Sequence, residues 1–143
     1  MADNHTATIT LPSAPASVTA ARRHVTDVLL SWGLDKDADA MDRLRLIVSE
    51  LATNAVQHTC GRSPAFTVEL RLEDDARLRM GVTDSHPRRP RRLPAAVQQD
   101  NGRGLLIIRT LAAESGGRMR VTPAADGGKT VWVELPWLPV PAG

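Results

Sequence analysis

The sequence has 143 residues, 42% of them hydrophobic, with a formal net charge of +2 and one cysteine, Cys60. This length suits one domain with a sizeable core and argues against a second domain. One thiol excludes an internal disulfide and a thiolate metal cage, and so small a charge excess is not a signature of nucleic-acid binding.

The location of the protein is indicated by two features of the sequence. No run of 18 apolar residues occurs, and the first residues lack the basic-then-apolar order of a secretory signal. We therefore expect a cytoplasmic protein that does not contact membranes. Its single domain should span residues 1–136 and be followed by a proline-rich tail, 137–143.

The first part of the chain predicts a strand and two helices. The strand covers 6–11. Ser17 can cap a helix over 18–32, and Gly33 is placed to stop it. The longest helix is predicted over 38–58, where apolar residues recur at helical spacing.

Three polar residues of this longest helix, Glu50, Asn54 and His58, are spaced at i, i+4 and i+8. On a helix these positions form one stripe. The stripe borders the apolar face, so a carboxylate, an amide and an imidazole would line the edge of a cleft. Ordinary solvated polar residues would give the same spacing, and only signals further along the chain favour a site.

The next segments, 66–72 and 78–82, alternate apolar with polar residues and predict a hairpin with one buried face. The alternation places Asp84 on that buried face. A buried carboxylate without hydrogen bonds is costly. Either the strand ends before Asp84, which then belongs to a turn, or Asp84 awaits a donor such as a ligand amine.

The last part of the chain predicts a polar loop over 85–101, a helix over 105–114 and two strands over 118–122 and 130–135. The segment Gly102-Arg103-Gly104-Leu105 would open the helix. Glycines there let backbone N–H groups approach phosphate oxygens at the positive end of the helix dipole. By contrast, Gly128-Lys129-Thr130 runs into a strand and lacks an upstream glycine, so it is not a Walker motif.

Taken in order, these residues resemble the GHKL superfamily of ATP-binding domains, which includes gyrase-type ATPases, histidine-kinase catalytic domains and bacterial anti-sigma-factor serine kinases. The resemblance covers about 16–136. The matching positions are Glu50, Asn54, Ala55 and His58 in the N box, Asp84 in the G1 box, Gly102 and Gly104 in the G2 box, and Thr130 in the last strand. It implies an α+β fold, a two-layer α/β sandwich of the Bergerat type, whose mixed, mostly antiparallel sheet carries helices on one face.

The resemblance also implies roles for these residues. Asn54 would bind Mg²⁺ through its amide oxygen, and Glu50 would orient or deprotonate the attacking hydroxyl. Asp84 would accept a hydrogen bond from the adenine amino group, with Thr130 assisting near the same edge, although alternation leaves the inward orientation of Thr130 open. For His58, a structural or capping role stands slightly ahead of a ligand contact.

The phosphates of ATP would be held by the segment Gly102-Arg103-Gly104-Leu105, and catalysis would act mainly through positioning and charge neutralisation. One departure from the family concerns the G1 box, where two glycines usually follow the aspartate. Here the sequence continues Ser85-His86-Pro87. Adenine recognition should survive this change, because it uses the carboxylate. The change could still affect closure of the lid and the rate of turnover. The adjoining basic run, 88–92, is either a solvated surface or a contact for phosphates or an acidic partner.

Three functional classes follow. The short domain, the Glu-x-x-x-Asn-Ala motif and the Gly-Arg-Gly-Leu segment look most like anti-sigma regulatory kinases, which would bind a sigma factor and phosphorylate an anti-anti-sigma protein of the STAS type. A homodimer is compatible with this class, and direct nucleic-acid contact is not expected. A histidine kinase would need a phosphoacceptor helix, for which we expect no room. The alternatives are a non-catalytic nucleotide-dependent switch and an interaction domain that has lost ATP.

Overall fold

The computed structural model describes residues 5–59, 65–73, 77–84, 95–124 and 128–136, with the backbone alone for 58–59 and 95–104. The elements are β1 (His5–Pro12), α1 (Ala16–Ser31), α2 (Asp39–Thr59), β2 (Ala65–Leu72), β3 (Arg77–Asp84), α3 (Ala95–Glu114), β4 (Arg118–Pro123) and β5 (Lys129–Pro136). The predicted tail, 137–143, lies outside the described residues.

The described strands form one five-stranded sheet in the order β1-β2-β3-β5-β4. Each neighbouring pair is antiparallel, so the α+β fold is confirmed, and the sheet expected to be mixed is antiparallel throughout its described part. The hairpin predicted from alternation is confirmed by β2 and β3, which pair directly.

The ends of α1 show one prediction that is confirmed and one that is wrong. Gly33 has a φ of 101° and terminates the helix, while the N–H of Leu34 donates to the carbonyl of Leu29 at 3.0 Å. Ser17, predicted as the cap, is instead buried inside the helix, which makes no side-chain cap hydrogen bond at Pro15. The helix starts earlier because the ring of proline fixes a φ that suits a helix start.

Helix α3 is longer than the sequence predicts, because it begins at Ala95 rather than at Leu105. Residues 95–101, expected in a loop, are helical, and Gly102 and Gly104 lie within the helix. Glycine inside a helix costs about 1 kcal/mol relative to alanine. Here the flanking residues are mostly good helix formers, which offset that cost.

The three helices cover one face of the sheet, and the core lies between the two layers. Alternate residues of the strands point into it together with the apolar stripe of α2. Its largest fully buried members include Phe66, Met41, Ile47, Leu51 and Leu70. Each such side chain contributes roughly 1.5–3 kcal/mol relative to an exposed one. Among the described helices, none has the length and apolar character needed to cross a bilayer.

The opposite face of the sheet holds a buried carboxylate, Glu134, which is only 1% exposed. Arg118 donates from Nε to Oε2 at 3.0 Å, Arg120 Nη2 lies 3.1 Å from Oε1, and Arg79 Nε lies 3.5 Å from Oε1. Burial by itself raises the pKa of Glu134, but the hydrogen bond and charge of Arg118 and the charges of Arg120 and Arg79 outweigh it. The pKa is therefore below the ordinary value of a glutamate.

Candidate functional site

Helix α2 positions the first two candidate residues, Glu50 and Asn54, one turn apart on the same stripe. Asn54 is buried, at 6% exposed, and Glu50 is half-buried. Both follow from the register of the apolar stripe, because Leu51 and Ala55 on the same helix enter the core. The site therefore offers a buried amide oxygen with a carboxylate beside it.

Asp84 is the last residue of β3 and is buried, at 4% exposed. The strand runs through Asp84, which pairs with Phe66 on one side and Lys129 on the other. The turn alternative, which required the strand to end earlier, is therefore wrong. Oδ1 of Asp84 accepts a hydrogen bond from the backbone N–H of Lys129 at 3.2 Å.

Helix α2 and strand β3 meet near the start of each element. Leu44 of α2 lines one small cavity together with Leu78 of β3 and Leu135 of β5. From that level, α2 rises about 15 Å to Asn54, and β3 extends about 20 Å to Asp84. Asn54 and Asp84 therefore both lie well beyond this cavity along their own elements, and they are 30 positions apart in the sequence.

Helix α3 runs antiparallel to α2, because Ser115, just beyond its end, accepts a hydrogen bond from Arg43 at 3.4 Å. Leu105 therefore lies towards the same end as Asp84, half-buried against the core. Gly102 and Gly104 lie in the same helix, closer to its start than Leu105. N–H groups inside a helix donate to carbonyls four residues earlier, so the expected open glycine loop at a helix start is not present in this structure.

Thr130 does not reach Asp84. It pairs with Thr83, and their hydroxyl oxygens are 2.7 Å apart on the face of the sheet opposite to Asp84. The expectation that Thr130 assists at the adenine edge is therefore not supported by its position. The reason is the alternation along β5, which places Lys129, Val131 and Val133 on the core face and Thr130 on the other face.

Lys129 and Gly128 are the residues that sequence reasoning missed. Lys129 is the register partner of Asp84, and a Cβ at Gly128 would lie 1.9 Å from the carbonyl oxygen of Asp84. Burial lowers the pKa of Lys129, while the charge of Asp84 acts in the opposite direction. The alternation of Lys129 with Val131 and Val133 was a signal for this placement, but the partner strand could not be read from it.

Several predicted features lie outside the described residues. These are the side chains of His58 and Arg103, the altered segment Ser85-His86-Pro87 and the basic run 88–92. Their roles remain predictions.

Comparison with protein families gives a match to the histidine kinase-like ATPase domain over residues 11–135. The chain belongs to this family. The match spans α2, β3, α3 and β5, so it includes every element that carries a candidate residue. No curated protein matches the chain significantly.

Solved structures share the fold of this histidine kinase-like ATPase domain. Full-length ShkA, in complex with AMPPNP, is 27% identical with a TM-score of 0.58, covering 93% of this chain and 32% of that one. The RsbU and RsbW domains of Rv1364c from Mycobacterium tuberculosis are 19% identical with a TM-score of 0.64, covering 96% and 35%. The histidine kinase domain of the Erythrobacter litoralis EL346 blue-light activated histidine kinase is 22% identical with a TM-score of 0.51, covering 88% and 61%. The chain spans about a third of the first two proteins.

Proposed function

We propose that this protein is an ATP-binding regulatory kinase that transfers the γ-phosphoryl group to a serine or threonine of a partner protein. The observation that supports the proposal is a histidine kinase-like ATPase fold in which Asn54 and Asp84 are buried polar residues and Glu50 lies one helical turn from Asn54. Asp84 would bind the adenine base, Asn54 would bind a metal ion and Glu50 would act on the attacking hydroxyl. Phosphoryl transfer uses groups in each of these roles.

The residues present fit a bound Mg²⁺ that is shared with phosphate oxygens. In the described ranges, no group of three acidic, histidine or cysteine side chains could hold a metal. Mg²⁺ usually takes one or two protein oxygens, and phosphates and waters complete its shell. The buried amide of Asn54 would supply that oxygen. The ion would neutralise phosphate charge when bound.

The chain's own residues would supply the remaining steps. Asp84 would hold the base by accepting from its amino group, which gives this buried carboxylate a partner. Glu50, half-buried one turn from Asn54, would orient the attacking hydroxyl and take its proton. Because Asn54 is anchored in the core, the metal and the base would be held in a fixed relation, which favours positioning catalysis.

The proposed partners are a sigma factor, which the protein would sequester, and an anti-anti-sigma protein of the STAS type, which it would phosphorylate. This part rests on the motif resemblance to anti-sigma kinases, and one structure that shares the fold contains an RsbW domain. The proposed location is the cytoplasm, where these reactants occur.

A second candidate function is a nucleotide-dependent switch without catalysis. Two observations favour it. The segment after Asp84 lacks the two glycines of the family motif, and α3 continues as helix through Gly102 and Gly104. Both changes affect the side of the site that would enclose the phosphates.

The deciding experiment is phosphate transfer from γ-labelled ATP to candidate antagonist proteins of the STAS type. A kinase labels one of them in a Mg²⁺-dependent manner. If the protein binds ATP yet labels no candidate, and the antagonists still bind it in a nucleotide-dependent manner, the switch replaces the kinase.

A further inference from the structure

Lys129 lies across from Asp84 in the sheet, on the face that packs against the helices. Lys129 opens β5 and Asp84 closes β3, and the two are register partners. Side chains of opposite residues in an antiparallel pair leave the sheet on the same face. The lysine stem and the aspartate carboxylate therefore start from neighbouring positions on the core face.

The backbone at Gly128 and Lys129 holds one carboxylate oxygen of Asp84. The backbone N–H of Lys129 donates to Oδ1 at 3.2 Å. A Cβ at Gly128 would lie 3.0 Å from the same oxygen and 1.9 Å from the carbonyl oxygen of Asp84, so only glycine permits this approach. An ionised carboxylate accepts about four hydrogen bonds, which leaves Asp84 free capacity for a ligand donor.

Lys129 carries a side-chain donor on the same face of the sheet as this acceptor. Its side chain is half-buried, and the ammonium carries three N–H donors and no acceptor on a flexible stem. Burial lowers the pKa of Lys129, and the negative charge of Asp84 partly restores it. This attraction favours an ammonium held near the carboxylate over one extended into solvent.

We propose that Lys129 donates to ring nitrogen N1 of the adenine whose exocyclic amino group Asp84 is expected to bind. The inference rests on the proposed nucleotide binding and assigns base specificity within it. The Watson–Crick edge of adenine carries a donor, the amino group, next to an acceptor, N1. This order matches the acceptor of Asp84 and the donor of Lys129. Guanine presents the reverse order, so each of its groups would meet a like group.

The test compares the parent with Lys129→Met and Lys36→Met. Lys36 is the other lysine of the sequence, and its exposed side chain makes it a matched control. Calorimetry would give the Kd of each protein for ATP and for 1-deaza-ATP, in which C–H replaces N1 and the amino group is kept. The parent and Lys36→Met should bind 1-deaza-ATP about tenfold more weakly than ATP.

Lys129→Met should bind both nucleotides equally, with about the affinity of the parent for 1-deaza-ATP. Lys129→Arg keeps a donor and should recover part of the preference for ATP. Thermal unfolding would check that the variants fold. The proposal is overturned if Lys129→Met keeps the full preference for ATP, or if it binds ATP more tightly than the parent.

Measurements on the parent alone distinguish a failure of the role of Lys129 from a failure of the proposed nucleotide binding. A parent that binds ATP and 1-deaza-ATP with equal affinity refutes the role of Lys129 while nucleotide binding stands, even if a variant fails to fold. A parent that binds neither nucleotide refutes the proposed function, and the role of Lys129 falls with it.

Discussion

Asn54 and Asp84 are buried polar side chains beside a mostly apolar core. A buried polar group without a partner costs free energy, so a core that served stability alone would favour apolar residues here. Asp84 accepts a hydrogen bond from the backbone N–H of Lys129. Both residues therefore fit a site that is completed by a ligand.

Replacing Asp84 by asparagine should weaken ATP binding by roughly 10- to 100-fold, because a charged acceptor is lost and an amide N–H₂ can face the adenine amine. The fold should remain, since the amide oxygen can still accept from Lys129. Calorimetry gives the Kd, and Asp27→Asn, at an exposed position of α1, is the control. Unchanged affinity would return Asp84 to a structural role.

Glu50→Gln keeps the size of the side chain but removes the base. Phosphate transfer should fall by about 10²- to 10⁴-fold, while the Kd for ATP changes little, because Asn54 and Asp84 remain. Asp42→Asn, on the exposed part of the same helix, should transfer at the rate of the parent. Equal transfer rates for Glu50→Gln and the parent would remove Glu50 from the mechanism.

At the scale of elements, β5 decides which residues reach the site and which do not. Its core face carries Lys129, Val131, Val133 and Leu135, and its other face carries Thr130, Trp132 and Glu134. A shift of one residue would exchange these two sets. Gly81 fixes the register, because a Cβ there would lie 2.6 Å from the ring of its partner Trp132.

The carboxylate of Glu134 should make the free energy of unfolding depend on pH. Its pKa is lower in the folded state than in the unfolded one. Its contribution is therefore complete above the ordinary glutamate pKa and is lost as the pH falls through the lowered folded-state pKa. In Glu134→Gln this loss is absent, so the free energy of unfolding should fall less steeply between about pH 5 and 3 than in the parent.

Urea unfolding at a series of pH values measures this difference. Glu69→Gln is the matched control, since Glu69 lies on the same face of the sheet with Arg71 as its ion-pair partner and is more exposed than Glu134. The control should keep the acid dependence of the parent. Parallel curves for Glu134→Gln and the parent would show that the three arginines do not stabilise the ionised form.

At the scale of the whole molecule, the site is a product of the two-layer arrangement. Helix α2 and strand β3 belong to different layers, and α3 returns antiparallel to α2. The site proposed for ATP therefore draws Asn54 from the helical layer and Asp84 from the sheet. A ligand held there would contact both layers and tie them together.

Mg-ATP should accordingly stabilise the folded chain. At a free concentration one hundred times the Kd, binding to the folded state adds about 2.7 kcal/mol to the free energy of unfolding, which raises the Tm. Thermal unfolding with and without millimolar Mg-ATP measures it, and Mg²⁺ alone is the control. An unchanged Tm at millimolar Mg-ATP would contradict nucleotide binding as a whole.

The sequence by itself determined the α+β class, the hairpin of β2 and β3, and the stripe of Glu50 and Asn54, and it left the burial of Asp84 to depend on where the strand ends. These follow from periodicity, which is local, because each element repeats its exposure every 3.6 or 2 residues. The motif order added the family. The boundaries of α3 were not determined, because glycine lowers helix propensity but does not forbid a helix that continues into a packed segment.

Only the tertiary structure decided that Lys129, not Thr130, faces Asp84, and that Glu134 is buried among three arginines. Both depend on the register between strands that are distant in the sequence, which alternation along one strand does not specify. The separation between Asn54 and Asp84 is of the same kind, because it depends on how α2 packs on the sheet. The face on which a side chain lies follows from the pattern of its own segment. The residues that it contacts depend on how separate segments pack together.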